Sequence, residues 1–166
     1  QQQKWAQRVS QVADFYHSQK ILEVGCGSGF AALHLINPRR EIHANDIVDK
    51  LHDQVKHSSV IFSIGDTCQN LPYPGDTFDL VFSINSFEHF DNPQGALQEM
   101  IRVLRPGGVL FLAFSPIYYS PWGLHASRRL GMPYPQLLFS SSDIQQYVDQ
   151  NQTTIVVIMF PIFPNF

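Results

Sequence analysis

Lys20-Ile-Leu-Glu-Val-Gly-Cys-Gly-Ser-Gly29 is the stretch that decides how this chain folds. Its first half, Lys20 to Val24, is short and mostly apolar, which predicts a buried strand. A helix is predicted from Phe30 to Ile36, where Asn37-Pro38 ends it. The glycines between strand and helix predict a turn with positive φ, in which a ligand can approach the backbone closely. The alternative is an ordinary tight turn without a ligand.

Strands and helices alternate along the rest of the chain. Strands are predicted at 41–45, 60–64, 78–83, 109–114 and 153–160, and helices at 5–16, 49–56, 93–104 and 143–148. Asn92-Pro93 provides a capping side chain and a first-turn proline for the third of these helices, and residues 105–108 end it. The side chains expected on the buried helix faces are Trp5, Val9, Val12, Tyr16, Leu97, Met100, Ile101 and Leu104. This alternation predicts an α/β, Rossmann-like three-layer sandwich, with a mostly parallel sheet between helices on both faces.

Composition and charge narrow the classes of protein. The 166 residues, 44% hydrophobic and 15% charged, suit a single globular domain over 1–166, with an irregular Pro- and aromatic-rich loop over 115–139. The net charge of −3 and only two basic doublets, at 39–40 and 128–129, argue against nucleic acid as a partner. The longest apolar run has nine residues, too few for a membrane span, so no membrane is expected.

Cellular location follows from weaker signals. Cys26 and Cys68 form no CxxC pair, which favours a reducing compartment, and no signal-peptide pattern opens the chain. A cytoplasmic location is therefore expected. The start at Gln1 without Met suggests a piece of a longer protein.

Two acidic residues identify the class of ligand. Asp46 follows the second strand, 21 residues after Gly25, where a carboxylate can accept both ribose hydroxyls. A dinucleotide motif requires a third glycine at position 30, which is Phe30. Glu23 at the end of the first strand opposes a pyrophosphate but suits a ligand with an ammonium and a sulfonium group. The residues favour an adenosyl sulfonium compound. Asp46 as a simple cap of the following helix is the alternative.

Several ordered motifs resemble one family. Residues 21–29 are similar to the first motif of class I S-adenosylmethionine-dependent methyltransferases. Gly65-Asp66, Phe78–Ser83, Phe87-Glu-His89 and Arg102–Gly108 resemble, in that order, the small-molecule branch called methyltransferase type 11. The resemblance covers about 5–114 well and the rest loosely. Such a sheet has seven strands, the last antiparallel, whereas six are predicted here, so the chain is expected to lack its last strand or residues around 125–139 and after 166.

The resemblance also implies a set of cofactor-binding residues. They would hold S-adenosylmethionine, or its product S-adenosylhomocysteine, and are Glu23, Gly25, Cys26, Gly27, Gly29, Asp46, Ile47, Asp66, Thr67, Ile84, Asn85 and His89. Asp46 would bind the ribose, Ile47 would pack on the adenine, Asp66 would accept from its amine, and Asn85 would offer a carbonyl to the ammonium. Core packing for Ile47, a turn role for Asp66 and a solvated Glu88-His89 pair are the alternatives.

The implied reaction is methyl transfer to a small-molecule acceptor by in-line displacement, which needs alignment more than acid–base groups. Where the acceptor loses a proton, the candidate bases are His89, His125 and Tyr118. No metal is expected, because the histidines are scattered and His52 and His57 do not share a helix face. A non-catalytic adenosyl-binding module and an NAD-dependent oxidoreductase are the competing functions. The acceptor and the oligomeric state stay open.

Overall fold

The structure is a computed structural model that describes residues 2–66, 69–114, 134–140, 142–143 and 146. The chain divides into two compact units, Gln1–Phe114 and Ser115–Phe166. The helices and strands of the first unit, with a 3-10 turn at Phe87–His89, are α1 (Gln2–Phe15), β1 (Lys20–Val24), α2 (Phe30–His34), β2 (Glu41–Asp46), α3 (Asp53–Lys56), β3 (Ile61–Ile64), β4 (Phe78–Ile84), α4 (Pro93–Val103) and β5 (Leu104–Ala113).

The five strands form one parallel sheet in the order β3-β2-β1-β4-β5. β1 lies at the centre, with Leu22 opposite His43 of β2 on one side and Val81 of β4 on the other. Because all strands run the same way, their carboxyl ends meet at one edge of the sheet. The strand order changes direction between β1 and β4, and ligands of open α/β sheets bind at such a point.

Helices cover both faces of the sheet. Ile21 of β1 packs in one buried cluster with Val9 of α1 and Ala32 of α2. The next residue, Leu22, belongs to a second cluster with Met100 of α4. Successive side chains of a strand point to opposite faces, so β1 contributes to both layers of the core. The predicted Rossmann-like three-layer architecture is confirmed.

The helix starts were predicted better than the buried helix faces. The Asn92 side chain accepts a hydrogen bond from the Gly95 backbone amide at 3.0 Å, which confirms the predicted cap of α4. The predicted stripe on this helix was right at Met100, which is buried, and wrong at Ile101, which is 55% exposed. The helix ends at Val103, and its buried side chains are Ala96 and Val103 beside the predicted Met100.

Three other boundaries also differ from the prediction. Tyr16 is exposed, because α1 ends at Phe15. α3 begins only at Asp53, since the side chain of His52 caps it by accepting from the Gln54 amide. β5 begins at Leu104, before the predicted turn at 105–108, and the pairing with β4 shifts register there. The strand predicted at 153–160 lies outside the described residues.

The second unit is described only in part. A short helix, α5, spans Pro135–Leu138. Ser140 and Asp143 exchange hydrogen bonds: the Ser140 hydroxyl accepts from the Asp143 amide at 3.2 Å, and an Asp143 carboxylate oxygen accepts from the Ser140 amide at 3.3 Å. Such a reciprocal pair between a serine and an acidic residue three positions later is typical of a helix start. Within the described ranges, every helix is too short or too polar to cross a bilayer.

Candidate active site

The three glycines after β1 all have positive φ, each with different surroundings. A Cβ at Gly25 would lie 2.6 Å from Cβ of Ser86, and one at Gly29 would lie 2.9 Å from Val55. A Cβ at Gly27 would have no neighbour within 4 Å. Gly25 and Gly29 therefore allow close packing within the protein, whereas Gly27 leaves open space beside its backbone. That space is where a ligand can approach the turn.

A cavity opens at the carboxyl ends of β1 and β4, at the predicted edge of the sheet. The residues that line it come from the end of β1, the glycine turn, the start of α2 and the segment after β4: Glu23, Gly25, Cys26, Gly27, Ser28, Ala31, Ile84, Asn85 and Ser86. Six of these residues were among the predicted cofactor-binding set. The cavity lies where the strand order changes direction, as expected for a nucleotide ligand in this class of sheet.

Glu23 is buried in the wall of this cavity, with 3% of its surface exposed. One of its carboxylate oxygens accepts a hydrogen bond from the Ala32 amide in the first turn of α2 at 2.8 Å. Burial raises the pKa of Glu23 to about 8, with a smaller increase from nearby Asp46, against the lowering effect of the Ala32 bond. A cationic ligand beside Glu23 would favour the charged carboxylate, since an opposite charge offsets the cost of burial.

Asp46 holds the glycine turn to the end of β2. Its carboxylate accepts from the Gly27 amide at 2.8 Å and from the Val48 amide at 3.2 Å. The alternative that Asp46 caps the next helix is wrong, because α3 starts seven residues later, at Asp53. Each carboxylate oxygen has two lone pairs, so these bonds leave acceptor capacity for ribose hydroxyls.

Two exposed isoleucines lie next to Asp46. Ile47 is 66% exposed and Ile64 is 62% exposed, and Ile64 pairs with Asp46 across β2 and β3. The interpretation of Ile47 as a plain core residue is therefore wrong. Asp66 is also exposed and follows β3, at the same sheet edge. An apolar surface beside two carboxylates suits a flat ring that carries an amine. Thr67 lies outside the described residues.

The segment after β4 forms the opposite wall. Asn85 has φ of +52°, a conformation in which a side chain other than glycine is uncommon, and its amide donates to the Ala113 carbonyl. The Ser86 hydroxyl donates to the Gly25 carbonyl at 2.6 Å and so ties this wall to the glycine turn. His89 lies one 3-10 turn further on, with its side chain exposed.

Cys26 is a buried free thiol in the cavity wall. Burial raises the pKa of the thiol well above its usual range, and the carboxylates of Glu23 and Asp46 raise it further. A thiol held in its neutral form is a poor nucleophile. Cys26 therefore contributes a small, uncharged group to this wall.

The sequence did not single out two residues of this region. Ser86 forms part of the wall, yet its contact with Gly25 spans 61 positions and has no local signal. The alternative of a solvated Glu88-His89 pair does not hold for Glu88, since both of its carboxylate oxygens are shielded from solvent. His125 and Tyr118 lie outside the described residues. Among the residues that are described, no three His, Cys, Asp or Glu side chains are grouped to hold a metal.

Comparisons with known proteins identify the family. A family model described as a methyltransferase domain matches residues 22–112. A rice protein, 2-methyl-6-phytyl-1,4-hydroquinone methyltransferase 1, is 33% identical over 65% of this chain and 34% of its own length. The chain thus spans about a third of that relative.

Solved structures share the fold. The PH0226 protein from Pyrococcus horikoshii matches with a TM-score of 0.60 and 26% identity, over 77% of this chain and 59% of that one. The [4+2]-cyclase SpnF matches with a TM-score of 0.51 and 28% identity, over 63% of this chain and 44% of its own. The family model covers more than half of the chain and includes the glycine turn, Asp46 and the segment after β4. The chain belongs to the methyltransferase-domain family, in the class I, type 11 branch that the sequence resembles.

Proposed function

We propose that the protein binds S-adenosylmethionine and transfers its methyl group to a small-molecule acceptor. The observation that carries this proposal is the buried carboxylate of Glu23 in the wall of a cavity whose floor is the glycine turn. Two phosphate charges beside this buried group would keep it protonated and gain no attraction from it. A ligand with an ammonium and a sulfonium brings charges of the opposite sign.

The parts of the cofactor can be assigned to parts of the site. The open space beside Gly27 would receive the methionine moiety, with Glu23 and the Asn85 carbonyl near its ammonium. Asp46 would accept from the ribose hydroxyls. The exposed Ile47, together with Asp66 and Thr67, would hold the adenine. These roles come from the family resemblance, and the turn, Asp46 and the ends of β3 and β4 lie at one edge of the sheet, which supports them.

Methyl transfer requires the protein to align the cofactor with the acceptor and to exclude water. The bound cofactor supplies an activated methyl carbon, and the bond from that carbon to sulfur breaks as the bond to the acceptor atom forms. The walls formed by Gly25–Ser28 and Ile84–Ser86 would fix the direction of approach. An acceptor that loses a proton requires a base, and His89, His125 and Tyr118 stay as predicted candidates. No metal is part of this proposal.

Calorimetry with two matched aspartate variants tests the cofactor assignment. We expect the wild-type protein to bind S-adenosylmethionine and S-adenosylhomocysteine, and Asp46→Asn to weaken both at least tenfold, since charge-assisted bonds to the ribose are lost. Asp79→Asn is the control, because Asp79 accepts from the Gln19 and Lys20 amides at the opposite edge of the sheet. Binding of NAD without heat from either sulfur compound would instead favour the oxidoreductase alternative.

A second candidate is an adenosyl-binding protein that does not transfer the methyl group. The likeness to SpnF supports this second candidate, because SpnF is a [4+2]-cyclase that shares this fold. Transfer of label from methyl-labelled cofactor to a panel of acceptors separates the two functions. Tight cofactor binding with no transfer to any acceptor would support the second. A cytoplasmic location remains part of the proposal, supported by the free thiol of Cys26.

A further inference from the structure

Glu23 is enclosed by uncharged side chains on one face of the sheet. Its partners in register are Ala44 of β2 and Phe82 of β4, and both belong to the buried cluster that includes Ala32 of α2. Residues directly opposite each other on adjacent strands point to the same face of a sheet. The side chain of Glu23 therefore lies among apolar groups, where a negative charge lacks the stabilisation that water provides.

The two oxygens of the Glu23 carboxyl group have different surroundings. Oε2 accepts a hydrogen bond from the Ala32 amide at 2.8 Å. Oε1 has no partner among the described residues, but it retains contact with solvent, unlike the two unpartnered oxygens of Glu88. Because Glu23 lines the cavity, Oε1 is the atom of this group that a ligand can reach.

The titratable groups closest to Glu23 carry no positive charge. Burial raises the pKa of Glu23 to about 8, and the carboxylate of Asp46 contributes to the increase. Cys26, in the glycine turn, is a neutral thiol. Among the described residues that line the cavity, none is Lys, Arg or His. The unliganded site therefore has no cation that would hold Glu23 as a carboxylate.

The other titratable residues of the surrounding elements lie further away or on other surfaces. His34 of α2 is exposed, and His43 of β2 packs against rings of the second buried cluster. Asp79 of β4 lies at the opposite edge of the sheet, and Glu88 and His89 follow the cavity wall without lining it. The charged residues of α1 are exposed: Lys4, Arg8 and Asp14. Within the described chain, the carboxyl group in the cavity wall is thus without a counter-charge.

We propose that the cofactor enters this site in exchange for a proton: Glu23 is neutral in the unliganded protein and becomes a carboxylate when the cofactor's ammonium binds beside it. This inference rests on the proposed function and adds a pH dependence to the same site. The proton belongs on Oε1, since Oε2 accepts from the Ala32 amide. The O–H bond breaks, the proton passes to the buffer, and the ammonium takes its place beside Oε1. A neutral carboxyl group attracts a cation far less than a carboxylate does, so the bound state favours the ionised form.

The size of the effect follows from the fraction of protein that is protonated. With a pKa of about 8, roughly nine in ten molecules hold this proton at pH 7, so each bound ligand should release about 0.9 proton. The affinity should rise about tenfold between pH 6 and pH 7, because the proton competes with the ligand over this range. The amino group of the free cofactor stays mostly protonated there, so the change belongs to the protein.

Calorimetry with S-adenosylhomocysteine measures both quantities. The titrations are run at pH 6 and pH 7, each in two buffers with different enthalpies of ionisation, because the buffer dependence of the observed heat gives the number of protons released. We expect about 0.9 proton per ligand for the wild type at pH 7. Glu23→Gln keeps an oxygen that accepts from the Ala32 amide, and it should release no proton and show affinities within twofold at the two pH values.

Glu41→Gln is the matched control. Glu41 is an exposed carboxylate at the start of β2, at the opposite edge of the sheet, where it pairs with Lys20 and His43. Its proton release and pH dependence should equal those of the wild type. Infrared difference spectroscopy gives a second readout: the band of a protonated carboxyl group should disappear when the wild type binds the ligand, and Glu23→Gln should lack this band from the start.

Binding by the wild type without proton release would overturn the proposal, and so would a release that persists in Glu23→Gln. Both results leave the proposed function intact, because the cofactor compound still binds. Where Glu23→Gln binds too weakly for calorimetry, loss of the infrared band in the wild type supports the exchange and an unchanged band contradicts it. Absence of binding by the wild type at both pH values would refute the proposed function and the exchange together.

Discussion

Alanine substitutions at three glycines distinguish the effects of backbone strain, steric overlap and ligand contact on stability and affinity. Gly25, Gly27 and Gly107 have φ of +70°, +53° and +77°, so alanine at each adopts a left-handed backbone conformation. That conformation costs roughly 1–2 kcal/mol for a residue with a Cβ. Gly27 and Gly107 have no atom within 4 Å of an added Cβ, so the backbone term is the whole expected loss there.

Gly25 carries an additional steric term. Its added Cβ would lie 2.6 Å from Cβ and 3.0 Å from Oγ of Ser86, and the Ser86 hydroxyl is held by its bond to the Gly25 carbonyl. Overpacking in a tight site adds roughly 1–3 kcal/mol, so we expect Gly25→Ala to lower the free energy of unfolding by about 2–5 kcal/mol. Urea denaturation followed by circular dichroism measures all three variants under one condition.

Calorimetry with S-adenosylmethionine completes the comparison. The open space beside Gly27 is part of the proposed cofactor site, whereas Gly107 lies at the start of β5, at the other edge of the sheet. We expect Gly27→Ala and Gly107→Ala to match in stability, with at least a tenfold loss of affinity in Gly27→Ala alone. Equal affinities in these two variants would refute the ligand role of Gly27. A Gly25→Ala protein as stable as Gly107→Ala would refute the steric argument.

Three further predictions follow from single contacts. The folded-state pKa of Glu23, about 8, exceeds the ordinary value of 4.5. Between these pH values the folded state retains a proton that the unfolded chain has lost. In the absence of ligand, the free energy of unfolding should therefore fall as the pH rises from about 4.5 to 8. Urea midpoints across this range should show the slope in the wild type and a flatter one in Glu23→Gln. Asn92→Ala removes the cap bond to Gly95 and should cost about 1 kcal/mol by the same assay, whereas an unchanged midpoint would mean that water replaces the cap. In a Cys68→Ala background, Cys26 should react with iodoacetamide far more slowly at pH 7.5 than after denaturation, and equal rates would contradict its burial.

The parts of the fold that the sequence predicted well are those with local determinants. Strand β1, the turn and the start of α2 are encoded within 20–34, and the structure confirms all three. The cap at Asn92 is local in the same sense. The buried face of α4 was predicted only in part: Met100 is buried, but the helix ends at Val103 and Leu104 starts β5, a boundary set by pairing with Phe78. That pairing joins residues 26 positions apart.

The sequence identified the charged residues of the site but not the contacts that hold the site together. Glu23 and Asp46 were chosen for their charge at strand ends, and the structure places both beside the glycine turn. The wall residue Ser86 and the burial of Glu88 depend on how the segment after β4 folds back over β1. A polar Glu-His pair near the start of a helix is more often solvated, so no local pattern indicated the burial of Glu88.

The hydrogen bonds of Asp46 and Glu23 decide which variants can test the cofactor site at all. Asp46 holds Gly27, and Glu23 holds Ala32, so each carboxylate shapes the turn and also faces its ligand side. Alanine at either position would remove a backbone acceptor and a charge together, and a loss of affinity would have two explanations. Gln at position 23 keeps the oxygen that accepts from Ala32, whereas Asn at position 46 keeps one acceptor oxygen and replaces the other by an amide nitrogen, so one of its bonds to Gly27 and Val48 is lost and its stability must be measured beside its affinity. An affinity loss in Asp46→Asn with an unchanged urea midpoint therefore assigns the effect to the ligand, whereas parallel losses assign it to the turn.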